Sequence, residues 1–210
     1  MRGETMFIDD LAFELLTMSL AALMILYMTL GIYIGYRRDG DKDIEGHLKP
    51  GMAPLALLGI VMLVLGFYGE IMWPLPGAFN ILYFDMYTLV AIVVLAFAIT
   101  IRLGYKMQYV GLFAAYSGLM SIFYGFRAYQ LKLIGPATVD LFLMFLAFGV
   151  TGIMSYPVTL IIDRLPQKGN PKWIGWTIIL VIFWIAVFGA MIASGYIGFK
   201  AVFSHLASPP

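Results

Sequence analysis

The sequence predicts an all-α fold, a polytopic membrane bundle of six transmembrane helices. Three observations carry that expectation. Of 210 residues, 62% are hydrophobic and only 12% are charged, where a soluble domain carries about a quarter charged residues. The mean hydropathy is +0.92. Uncharged runs long enough to cross about 30 Å of hydrocarbon recur along the whole chain, which argues against a soluble domain with an oily core. Residues 1–210 therefore read as a single transmembrane domain of a multi-pass protein in the cell membrane, with the lipid bilayer as its main partner.

The first helix is expected at Leu11–Tyr36. Asp9, Asp10 and Glu14 interrupt its start and no small-residue cleavage site follows, so it reads as a span rather than a cleavable signal. The second, Met52–Trp73, stops where Pro74, Pro76 and Gly77 break it. The third, Phe84–Leu103, restarts at Asp85, and the fourth covers Tyr109–Gln130. The fifth, Asp140–Ile161, carries Pro157, which would kink it and free a carbonyl. The sixth, Trp173–Phe203, holds Gly189, Ala190, Ala193, Ser194, Gly195 and Gly198, small residues that permit close helix contact and self-association. The longest connection, Arg37–Gly51, mixes both signs and reads as a solvated turn, as does the pair Asp163-Arg164.

Lysine and arginine set the expected orientation. Loops after the odd-numbered helices carry Arg37, Arg38, Lys42, Lys49, Arg102, Lys106, Arg164, Lys168 and Lys172. The opposite side holds Arg2, Arg127, Lys132 and Lys200. Nine against four puts both termini outside.

Composition also narrows the chemistry. A net charge of +1 provides no basic face for nucleic acid. With no cysteine, thiolate nucleophiles, iron–sulfur ligation and thiolate zinc sites are ruled out. The two histidines, His47 and His205, sit in a loop and near the C-terminus, where they cannot hold a haem inside the bundle or build a histidine-based di-metal site. No cofactor and no metal are expected.

The outward helices end alike, on Phe67-Tyr68-Gly69-Glu70, Phe123-Tyr124-Gly125-Phe126-Arg127 and Gly195-Tyr196-Ile197-Gly198-Phe199-Lys200. The inward helices begin with acids: Asp9-Asp10, Asp85 and Asp140. Three helical hairpins with similar outer corners would give this pattern, although N-capping aspartates and C-terminal bases explain most of it separately. Glu70 is the exception. A carboxylate in the last turn of a helix opposes the dipole, and ionisable groups inside an apolar span are paired or functional. Two explanations stay open: an ion pair with Arg127 that fixes helix packing, or a carboxylate facing a cavity and able to exchange a proton or bind a cation. The expected outer rim holds Glu4, Asp9, Asp10, Glu14, Glu70, Asp85 and Asp140 against four bases, a formal −3 that would concentrate cations.

Pro74-Leu75-Pro76-Gly77-Ala78-Phe79-Asn80-Ile81-Leu82 with Asp85 resembles the signature of a mainly archaeal family of multi-pass membrane proteins of unknown function. Gln108-Tyr109-Val110-Gly111-Leu112-Phe113, Phe123-Tyr124-Gly125-Phe126-Arg127 with Tyr129-Gln130, and Leu146-Ala147-Phe148-Gly149 resemble it too. The similarity covers roughly residues 55–155 and implies no activity.

The expected function is a small cation or proton channel or transporter. Glu70 would be its site carboxylate and Arg127 the counter-charge, with Asp85, Asp140 and Glu14 around the mouth and Tyr68 and Tyr124 beside it. The alternative is a non-catalytic structural or assembly subunit of a larger membrane complex, or of an oligomer of this chain. A lipid-modifying enzyme finds least support, because no nucleophile stands beside a base.

Overall fold

The computed structural model describes residues 10–165 and 174–207. Arg2, Glu4, Asp9, Lys168, Lys172 and Trp173, all used in the expectations above, lie outside the described residues. The described residues are all-helical: α1 (Asp10–Asp39), α2 (Ile44–Met72), α3 (Ala78–Leu103), α4 (Gln108–Gln130), α5 (Thr138–Arg164) and α6 (Ile174–Ala207). All six are long and apolar enough to cross a membrane.

Three boundaries differ from expectation for identifiable reasons. α2 begins at Ile44, because Asp43 caps it by accepting from the Gly46 N–H at 2.9 Å. Pro50 and Pro54 are carried within the helix, and the expected Arg37–Gly51 loop shrinks to residues 40–43. α3 begins at Ala78 rather than Phe84 and passes through a π-helical stretch, Ile81–Asp85. Asp85 is thus not a cap but a residue inside the helix, with no side-chain capping bond. Asp140 lies in the first turn of α5 without serving as its N-cap.

The helices form a ring in chain order, closed by α1 packing against α6. The pairs α2/α3, α4/α5 and α6/α1 make the most extensive contacts. Glycine makes each approach close. Gly59, Gly66 and Gly69 on α2 lie against Leu95, Thr88 and Phe84 of α3. Gly118 on α4 meets the backbone of Gly149, Gly152 and Ile153 on α5, and Gly198 on α6 rests on Ala12, Leu15 and Leu16. Missing side chains let backbones meet, which is how helices associate where lipid offers no hydrophobic drive.

The outward faces are as apolar as the interior. On α2, Leu57, Ile60, Val64, Phe67 and Ile71 form an exposed stripe. A water-facing helix would be polar there, so this stripe is suited to hydrocarbon surroundings.

Asp163 is not a solvated partner of Arg164. Its two carboxylate oxygens accept from the N–H groups of Met107 and Gln108 at 3.0 and 2.9 Å, which caps the start of α4 with a negative charge.

Candidate functional site

The corner between α2 and α3 is built around Asn80, which has no exposed surface. α2 ends at Trp73, whose backbone is left-handed (φ 51°) and whose N–H donates to the Gly69 carbonyl at 3.1 Å. Asn80 Nδ2 donates to the same carbonyl at 3.0 Å, and its Oδ1 accepts from Leu75 N–H at 3.1 Å. One amide therefore ties the end of α2 to the turn and to the start of α3. Pro74 and Pro76 have no N–H, so Leu75 carries the one backbone donor between them, and the Asn80 side chain accepts it.

This clamp brings the end of α2 and the π-helical turn together. The carboxyl groups of Glu70 and Asp85 come within hydrogen-bonding range of one another. From the neighbouring α4, Tyr124 donates its hydroxyl to Asp85 Oδ2 at 2.6 Å. All three side chains are half-buried. The result is a three-helix polar cluster with two carboxyl groups and a phenol. Its oxygens are too few for the shell of six or more that calcium takes, but they suit a proton or a small monovalent cation.

Arg127 does not join Glu70. It is exposed and donates to Gln130 Oε1 at 2.9 Å, three residues along its own helix. The expected ion pair is replaced by the contact of Glu70 with Asp85. Ion pairs do form near the α1–α2 connection, at Arg38–Asp39, His47–Asp41 and Lys49–Glu45. Tyr68 and Asp140 are exposed and lie outside the cluster.

Glu14 occupies a separate place. It is 2% exposed, on α1, with Tyr83 and Tyr87 of α3 within electrostatic reach. The Tyr87 hydroxyl and Thr17 Oγ1 are 2.8 Å apart, and Thr17 also donates to the Glu14 carbonyl. The sequence expectations omitted Tyr83, Tyr87 and Thr17. The i,i+4 spacing of the two tyrosines, which puts them on one helix face, was the available signal.

Over residues 5–208 the chain matches the family model described as "Protein of unknown function (DUF981)". The chain belongs to that family. The match covers the clamp, the carboxyl pair and all six helices, so these are features of a DUF981 chain and not of a grafted segment. No curated protein and no solved structure matches it.

Proposed function

We propose that this member of the DUF981 family is a non-catalytic, multi-pass protein of the cell membrane that binds and carries a proton or a small monovalent cation. The site is the Glu70–Asp85 pair with Tyr124. The contact of two carboxyl groups carries this reading. Two ionised carboxylates at hydrogen-bonding range repel, so a proton or a cation must stand between them. Their position half-buried between helices supports exchange with one side of the membrane at a time, as in a carrier. An open pore has less support, because the interior of the ring is lined almost wholly by apolar side chains.

Flux in proteoliposomes tests the proposal. Under a proton or sodium gradient the wild-type chain should move the ion, and Glu70→Gln and Asp85→Asn should each lose most of that flux. Wild-type vesicles no leakier than empty ones would sink the transport reading. Equal flux in the variants would remove the pair from it.

A second reading has its own support. The Tyr124–Asp85 bond crosses from α4 to α3, where the helices otherwise pack less extensively than within α2/α3 or α4/α5. The cluster would then serve as a structural clamp in a subunit that assembles with other membrane chains or with itself. In that case Glu70→Gln would lower the thermal midpoint in detergent and no flux would be seen.

A further inference from the structure

The helix ring encloses a cavity to which all six helices contribute. On α3 its wall runs from Tyr83 to Ile101, and on α5 from Met144 to Ile162. Each is 18 residue steps, or about 27 Å of helix, close to the whole hydrocarbon thickness of a bilayer. The space open to the centre of a water molecule totals ≈ 150 Å³. Averaged over that length, it corresponds to a mean radius of roughly 2.7 Å once water's radius of about 1.4 Å is added back. That is the width of one polymethylene chain and too narrow for fused rings.

The wall is also dry by construction. Five of its hydroxyls are turned into the protein, and Thr151 Oγ1 is left without a hydrogen-bond partner. Thr29 donates to the Ile25 carbonyl, Ser117 to Phe113, Ser121 to Phe145, Ser155 to Thr151 and Thr159 to Tyr156, at 2.8 to 3.1 Å. A water needs two to four polar partners to stay in a cavity, and apolar cavities instead take apolar guests. A hydrated ion has no replacement for its shell along this path.

We propose that the cavity binds a single long, unbranched hydrocarbon chain of a lipid or fatty alcohol, threaded along the ring axis. At about 1.25 Å of extension per C–C bond, the passage takes roughly twenty carbons. The polar head of the ligand lies beyond the cavity walls, since one neutral hydroxyl, that of Thr151, is too little to hold it at mid-depth. This site is separate from the carboxyl pair, since neither Glu70 nor Asp85 lines the cavity.

Tritiated stearyl alcohol titrated onto the purified full chain in detergent tests this. Binding should saturate and be displaced by unlabelled stearyl alcohol but not by cholesterol. Val90→Phe fills the passage from α3, and overfilling of this kind should weaken binding about tenfold or more. Val64→Phe, on the exposed stripe of α2, should leave it unchanged. Binding that never saturates, displacement by cholesterol as effective as by stearyl alcohol, or equal binding in a folded Val90→Phe variant would each overturn the proposal. If Val90→Phe does not fold, the wild-type competition between the two alcohols still decides it.

Discussion

The Tyr124–Asp85 bond allows a quantitative test of what the polar cluster contains. Removing the hydroxyl with Tyr124→Phe deletes one donor at 2.6 Å from Asp85 Oδ2. A neutral hydrogen bond between transmembrane helices contributes about 0.6 kcal/mol on average in double-mutant cycles. A bond to an ionised acceptor contributes about 1.5–3 kcal/mol. The short distance and the half-buried setting favour the larger figure. A cycle of Tyr124→Phe, Asp85→Asn and the double variant, read by reversible unfolding in bicelles, should therefore return a coupling of about 1.5 kcal/mol, a tenfold change in the unfolding equilibrium. Repeating it on a Glu70→Gln background asks whether the third member contributes, because the two carboxyl groups then no longer compete for one proton. A coupling near 0.6 kcal/mol would mean that Tyr124 faces a neutral carboxyl and would refute the charge-assisted bond. A coupling indistinguishable from zero would mean that the bond itself contributes nothing to stability.

Two further expectations concern other parts of the fold. Gly118→Ala puts a methyl group onto the backbone of Gly149, Gly152 and Ile153, which cannot rotate away. The α4/α5 pair should lose about 2–3 kcal/mol or more, and a thermal midpoint equal to wild type would contradict that close approach. At the α1–α2 connection, the Asp43 backbone N–H and then His47 Nε2, 2.9 Å from Asp41 Oδ2, hold the Asp41 carboxyl below its ordinary value of 3.8. A depressed carboxyl contributes its stability above that ordinary value and loses it as pH falls through the lower, folded-state value. Amide exchange of residues 41–47 should accelerate as pH drops below about 3.8 after correction for intrinsic rates, and Asp41→Asn should remove the effect.

The six spans were legible from composition, and one misplaced charge was enough to single out Glu70 as a candidate. Partners were not legible. Pairing Glu70 with Arg127 followed from opposite charge and equal depth. Depth alone does not determine which way a side chain turns, and Arg127, near the end of α4, turns to Gln130 on its own helix. Asp85 was visible as a candidate but misread as a cap, because Pro74 through Gly77 made the break look longer than it is. The π-helical stretch that carries Asp85 adds a residue to the turn and shifts the face it presents, which a 3.6-residue periodicity cannot register. Asn80 was quoted in the motif without a role. Its task, serving two backbone groups at once, depends on a turn geometry that no local pattern encodes. The repeat of glycine and acid marked comparable helix ends but did not say which helices meet.

The closure of the ring by α1 against α6 has a consequence for biogenesis. Besides the Thr17–Tyr87 bond to α3, helix α1 finds polar partners at the far end of the chain: Ser19 donates to the Met191 carbonyl at 2.9 Å, and Trp184 donates to Thr29 at 3.1 Å. At translation rates of about 5–20 residues per second, the first helix waits roughly 10–30 s in the bilayer before its mate is made. During that interval a face bearing a serine and a threonine has no α6 to cover it. Thr29 can meanwhile donate to the Ile25 carbonyl of its own helix, as it does in the finished ring, so Ser19 is the side chain whose bond waits for the last helix.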